Sequence, residues 1–195
     1  DCLNFGNPEK PDIYYQLELC ITGISEACEA LGIPVISGNV SLYNETRGTA
    51  IWPTPAVGAL GILDDAGSSS TIAFKDEGDI VILIGSDNVD TEIGSLSGSE
   101  YLYLIHGQTL GVPSINLDLE AKVQDICRQS IRDGVIKSAH DCSDGGLAVT
   151  LAESCIEGNL GLICDLRVDN RWDIALFSES QSRIVASLSP ENMEE

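Results

Sequence analysis

Between Asp12 and Leu31 the apolar residues Ile13, Leu17, Cys20, Ile21, Ile24, Ala27, Cys28 and Leu31 recur at three- and four-residue steps. That spacing predicts one long amphipathic helix, stopped by Gly32 and by Pro34 two residues on. Strands are expected on its far side. Val35–Ser37 reads as a short one, and in the run "IWPTPAVGALGIL" Pro53 and Pro55 confine the first part to an edge, leaving Ala56–Leu63 as the better strand. The opening third of the chain therefore offers one helix and about two strands for its share of a core.

"DDAGSSST", Asp64–Thr71, has no periodicity and marks a boundary. From Thr71 to Leu188 the pattern is mixed α/β. Asp79–Gly85 ("DIVILIG"), "LGLICDL" and "SRIVASL" read as strands. Leu117–Ile131 is expected to be a helix closed by Gly134, and Gly145–Ile156 a helix that Ser143 or Asp144 caps. "GSLSGSEYLYLIHG" fits a loop plus helix or a strand pair equally well.

The 195 residues carry 31 acidic and 10 basic side chains, a formal net charge of −21. Phosphate-backbone binding needs Lys and Arg, so a nucleic-acid partner is excluded as an expectation. An anionic small substrate is compatible with such a chain when a divalent metal screens it. No stretch approaches the roughly 18 uninterrupted apolar residues of a membrane span, so no membrane partner is expected. Nothing at Asp1 resembles a signal peptide, and the motif-like start without Met suggests a piece of a longer polypeptide. The seven cysteines are odd in number and lack CxxC spacing, which indicates neither a zinc site nor a disulfide framework and fits a reducing cytoplasm.

Four stretches have the residue types that chemistry uses. "VISGNVSLYNET", Val35–Thr46, ends a strand in Gly38 and then presents Asn39, Ser41 and Asn44 in quick succession. A glycine there lets a ligand approach the backbone, Asn39 supplies a neutral oxygen suited to Mg²⁺, and Ser41 shares its face in an extended segment. An ordinary turn explains the same residues. In "DCLNFGNPEKPD" Gly6 and Asn7-Pro8 signal a turn before the helix, while Asp1 and Asn4 could face a ligand, Asp1 by itself reading as a frayed terminus. "KSAHDCSDGGLAVTLAES", Lys137–Ser154, sets His140, Asp141, Ser143 and Asp144 ahead of two glycines and a helix start, which suits either anion binding or simple capping. Adjacent positions do not make a Ser–His–Asp triad. "FSESQSRIVASL" puts Glu179, Ser180 and Gln181 at the mouth of a strand, as a contact for a small molecule or as a solvated turn.

Taken in order, "DCLNFGNPEKPDIYYQ", "ISEACEALGIPVISGNVSLYNET", "WPTPAVGALGILDD" and "HDCSDGGLAVTLAES" with "LFSESQSRIVASL" resemble the phosphoribosylformylglycinamidine synthase family. The likeness is to the carboxy-terminal half of its synthetase subunit, in the form whose glutaminase is a separate polypeptide. It implies an α+β fold like that of aminoimidazole ribonucleotide synthetase. Residues 1–66 would be an incomplete amino-terminal-type domain and 67–195 a truncated carboxy-terminal-type domain. It also implies an ATP-dependent ligation in purine biosynthesis: ATP phosphorylates the amide oxygen of formylglycinamide ribonucleotide, and ammonia displaces the phosphate. The implied partners are a glutaminase subunit and a small bridging subunit. By motif, the resemblance gives Asp1 and Gly38 to ATP, Asn39 to Mg²⁺ and Ser41 to the ribonucleotide. The family's catalytic histidine belongs to the other half, so no catalytic residue is expected here and the piece alone should be inactive. A rival expectation is a non-catalytic scaffold holding a structural nucleotide near "HDCSDGG" and "ESQ". Another is a selenophosphate synthetase or a thiamine-phosphate kinase, against which "FGNPEKPD" and "SGNVSLYNE" argue.

Overall fold

The computed structural model describes residues 1–85, 93–166, 168 and 171–193. The chain divides into unit 1, Asp1–Ile62, and unit 2, Leu63–Glu195.

Unit 1 is built around its shortest element. Strand β1 (Cys2–Asn4) is central in a three-stranded sheet, parallel to β2 (Asn39–Ser41) and antiparallel to β5 (Thr54–Ala56). Helix α1 (Pro11–Leu31) connects β1 to β2. Pro11 starts it where a missing N–H costs nothing. Gly32, at φ +65°, ends it, with Ile33 N–H returning to the Cys28 carbonyl at 3.0 Å. Its apolar stripe covers one sheet face: Leu3, Phe5 and Ile13 are buried, with Leu17, Cys20, Ile24, Leu42 and Ala50 packed around them. A hairpin of β3 (Glu45–Thr46) and β4 (Thr49–Ala50) turns at Arg47-Gly48, both with positive φ, as a two-residue type I′ turn requires.

The expected strands Val35–Ser37 and Ala56–Leu63 are not formed as read. β2 begins only at Asn39, and β5 ends at Ala56, with Pro55 at the edge position. The ladder starts at Cys2, which stands opposite Asn39 on one side and Ala56 on the other. Residues 35–37 and 57–63 stay irregular, with Ile36 81% and Ile62 90% exposed.

Unit 2 is a three-layer α/β/α arrangement. Its antiparallel sheet has the order β6 (Ile80–Ile84), β8 (Ile184–Leu188), β7 (Ile136–Asp141). Alternate residues of the middle strand serve two cores. Val185 joins Phe74, Cys142 and Leu147 on the face under α4 (Gly146–Gly158), while Ala186 and Leu188 join Cys127 and Ile136 under α3 (Leu117–Arg132). Burial on both faces is why β6 reads as the unbroken run "IVILI". Between the strands, Ser138 and Ser187 are opposite each other and fully buried, their hydroxyls 2.6 Å apart. Each satisfies the other. The ambiguous segment before α3 forms a 3₁₀ turn and helix α2 (Glu100–His106), capped by Ser99, whose hydroxyl accepts from Leu102 N–H at 3.3 Å. A last short helix, α5 (Trp172–Phe177), precedes β8.

"LGLICDL" is not a strand. Leu160 stays tied to the end of α4, its N–H bonded to the Cys155 carbonyl at 3.1 Å. Leu160 and Leu166 anchor the segment against the Phe74 cluster, and Ile163 between them lies in solvent. Nor does Ser143 or Asp144 cap α4. Gly145 occupies that position at φ +79°, with no side-chain cap.

Candidate functional site

The sheet face of unit 1 turned away from α1 is polar. Strand periodicity puts Cys2, Asn4, Asn39 and Ser41 on it, because Leu3 between the first two points into the core. Contacts agree: Asn39 Oδ1 lies 3.8 Å from Cys2 Sγ, and Asn4 Nδ2 lies 3.6 Å from the same sulfur. Asn4 Nδ2 also donates to the Thr54 carbonyl at 3.2 Å, so its amide is held in place.

The parallel hydrogen-bond pattern continues to Asp1. Its nitrogen donates to the Ser37 carbonyl at 3.0 Å, and Asn39 N–H donates to the Asp1 carbonyl at 2.9 Å. Asp1 thus lies beside Gly38, whose missing side chain matters: a Cβ there would sit 2.1 Å from Asp1 Oδ1. The Asp1 carboxylate occupies the space the glycine leaves open. Asp1, Gly38 and Asn39 are therefore brought together, with Asn39 exposed and Ser41 two residues further along the same face.

This face fits part of a Mg²⁺ coordination set. Mg²⁺ takes hard oxygen ligands and keeps waters and phosphate oxygens, needing only one or two from the protein. On this face Asn39 carries one such amide oxygen; the Asp1 carboxylate, beside the Cβ position of Gly38, falls on the other side by the same alternation. Among the described residues no group of three or more His, Cys, Asp or Glu is placed to hold a metal by itself.

Ser41 is not free. Its hydroxyl lies 3.3 Å from Asn44 Oδ1 and 3.1 Å from Asn44 Nδ2. Asn44 and Glu45 are the residues the sequence reading gave no role. Glu45 accepts from Lys10 Nζ at 2.5 Å and from Asn7 N–H at 3.4 Å, joining the "GNPEK" loop to the "SLYNE" loop. The Lys10 hydrogen bond holds the Glu45 carboxyl below the usual range for a glutamate. The spacing of Lys10 and Glu45, 35 positions apart, gives no sign of this pair in the sequence.

The second glycine-bearing loop, in unit 2, has an internal anion at one of its N–H groups. One carboxylate oxygen of Glu179 accepts from Gly145 N–H at 2.8 Å and from Glu100 N–H at 2.9 Å, filling the position an anion would take. His140 pairs instead with Glu153, Nε2 to Oε2 at 2.8 Å. The "ESQ" segment thus connects α2, the 145 loop and β8. A cavity of about 940 Å³ lies elsewhere in the unit, with Val81, Leu83, Leu147, Leu151 and Val185 in its lining. Its walls are apolar and acidic, with Asp76, Asp79 and Asp165, and suit no phosphate.

Lys137 Nζ bonds Asp79 at 2.7 Å and Asp76 at 2.9 Å, which raises its pKa, the Asp79 bond contributing most. Arg171 similarly holds the buried Asp173 carboxyl below its ordinary range. Both arrangements are structural.

The family described as AIR synthase related protein, N-terminal domain, matches residues 1–63, and AIR synthase related protein, C-terminal domain, matches residues 76–195. The phosphoribosylformylglycinamidine synthase subunit PurL of Caldanaerobacter subterraneus subsp. tengcongensis is 47% identical over 196 residues, covering 100% of this chain and 26% of that protein. Thermotoga maritima PurL complexed with FGAR superposes with a TM-score of 0.66 at 19% identity, over 99% of this chain and 32% of that one. The same protein complexed with ATP gives 0.61 at 14%, over 99% and 30%. At such identities the superpositions carry the fold, which is the α+β fold the resemblance implied. The chain spans about a quarter of the length of the curated relatives it matches. With both domain types present in order, the chain belongs to the AIR synthase related protein family.

Proposed function

We propose that this chain forms part of an ATP-dependent ligase that converts formylglycinamide ribonucleotide and ammonia into the amidine in purine biosynthesis. The observation that carries this reading is 47% identity, along the whole chain, to a subunit named for that reaction. The geometry of unit 1 supports it. Asp1 and Gly38, the carboxylate of the first filling the space beside the second, are given to ATP, the Asn39 amide offers an oxygen to Mg²⁺, and Ser41 offers a hydroxyl to the ribonucleotide. Magnesium, when bound, neutralises phosphate charge that a chain of net charge −21 repels. The residues themselves bind and orient; no proton transfer is assigned to them.

The word "subunit" in the relative's name supports a multi-subunit assembly. In it the ammonia comes from a glutaminase subunit, and a small bridging subunit completes the complex. No disulfide joins any of the seven cysteines, which supports the cytoplasm as its location. No described helix is long and apolar enough to cross a membrane.

The test is a graft. These 195 residues replace the matching segment of the Caldanaerobacter relative, and amidine formation is followed from the ribonucleotide, ATP and ammonium. Turnover comparable to the parent is expected. A folded graft that hydrolyses or binds ATP without making the amidine would contradict the reading.

A further inference from the structure

We propose that Asn44 is the positioning residue for Ser41, fixing the hydroxyl oxygen so that its O–H donates a hydrogen bond to the bound ribonucleotide. This rests on the reading of Ser41 as a substrate contact. Asn44 is itself held firmly: its N–H donates to the Phe5 carbonyl at 3.1 Å, and its carbonyl accepts from Ile51 N–H at 3.0 Å. Its side chain then folds back on β2. Nδ2 lies 2.9 Å from the Ser41 carbonyl, 3.1 Å from Ser41 Oγ and 3.1 Å from the Phe5 carbonyl.

The two carbonyl oxygens around the amide nitrogen identify that atom as a donor and so orient the amide; its two hydrogens serve them, and Ser41 Oγ shares one. Oδ1 then faces the Ser41 hydroxyl at 3.3 Å, the longer of the two contacts to Oγ. Without ligand the hydroxyl proton rests on this weaker acceptor. A ligand acceptor on the polar face can take that hydrogen bond while Nδ2–H continues to hold the oxygen.

The backbone is bent to make this possible. Tyr43, between the two residues, has φ +60°, a left-handed conformation unfavourable for a non-glycine residue. Its N–H donates to the Gly6 carbonyl at 3.0 Å, which holds the bend. The tight reversal returns the Asn44 amide to Ser41, three residues back.

Asn44→Asp keeps the shape and replaces the donor with an acceptor. The carboxylate captures the Ser41 proton in a charge-assisted bond and faces two carbonyl oxygens without a hydrogen to offer. The experiment is a double-mutant cycle of Asn44→Asp and Ser41→Ala in the grafted enzyme, with KM and kcat measured for ribonucleotide and ATP. In the Ser41 enzyme, KM for the ribonucleotide is expected to rise about tenfold, with kcat and KM for ATP changing less than about twofold. In the Ser41→Ala enzyme the same substitution should change that KM less than about twofold. An equal rise in both backgrounds, or no rise in the first, overturns the proposal. If Asn44→Asp does not fold, Asn44→Ser goes through the same cycle against the same criteria. An inactive unsubstituted graft removes the functional reading and this inference together, whereas an active graft with an additive cycle removes only the role of Asn44.

Discussion

Asn39 is exposed on β2, with its oxygen held by nothing stronger than a thiol at 3.8 Å. Replacing it should therefore leave the fold alone and act on the ligand. We expect Asn39→Leu to weaken Mg²⁺-dependent ATP binding about tenfold in the grafted enzyme, read by calorimetry at several Mg²⁺ concentrations. An unchanged Mg²⁺ titration would take Asn39 out of the site. Glu45 makes a different prediction. Its folded pKa is depressed, so its contribution to stability is complete above the unfolded value and is lost as pH falls through the folded one. The difference in urea midpoint between the chain and Lys10→Met should hold steady down to about pH 5 and close below about pH 4. A difference that persisted in acid would show that Lys10 acts through packing alone. Gly38, Asn39 and Ser41 stand out in the sequence because each has a residue type suited to its proposed role within one short stretch. Asn44 and Glu45 are not, since the first depends on a left-handed Tyr43 and the second on a partner 35 positions away.

Periodicity located α1, α3 and α4 almost to their ends, because a stripe at three- and four-residue steps is a property of one segment. Strands are different, since a strand needs a partner. Val35–Ser37 and residues 57–63 have the composition of strands, yet the ladders of β2 and β5 with β1 take in only Asn39–Ser41 and Thr54–Ala56. "LGLICDL" has the composition too, but its first residue is committed to closing α4. The head of α4 is held from equally far off: Gly145 N–H bonds the carboxylate of Glu179, 34 positions away. That carboxylate satisfies one N–H at the head of α2 and one at the head of α4. Glu179→Ala should destabilise the chain by about 1–3 kcal/mol in urea, by leaving both N–H groups without it. Glu179→Gln, which keeps an acceptor oxygen, should recover most of that loss. Equal losses in the two variants would assign the effect to charge rather than to hydrogen bonding.

For the molecule as a whole, composition excluded more than it specified. A charge of −21 argues against nucleic acid and says little about what an acidic surface binds instead. Domain order was legible because long ordered motifs survive where single residues do not identify a family. The 195 residues by themselves should make no amidine from ribonucleotide, ATP and ammonium, because they cover 26% of a relative's length and contain no residue assigned to proton transfer. Turnover by the isolated chain would require a catalytic group that the present reading does not place.

The central claim concerns Gly38, whose missing side chain leaves room for the Asp1 carboxylate. Its φ lies outside the left-handed region, and the atom a Cβ would meet is the mobile end of Asp1. Gly38→Ala should therefore fold normally while displacing the Asp1 carboxylate. The decisive measurement is calorimetric titration of Mg²⁺–ATP into the grafted enzyme with and without this substitution. The account predicts an unchanged melting temperature and an affinity reduced by at least about tenfold. Undiminished Mg²⁺–ATP affinity in a folded Gly38→Ala enzyme would contradict it.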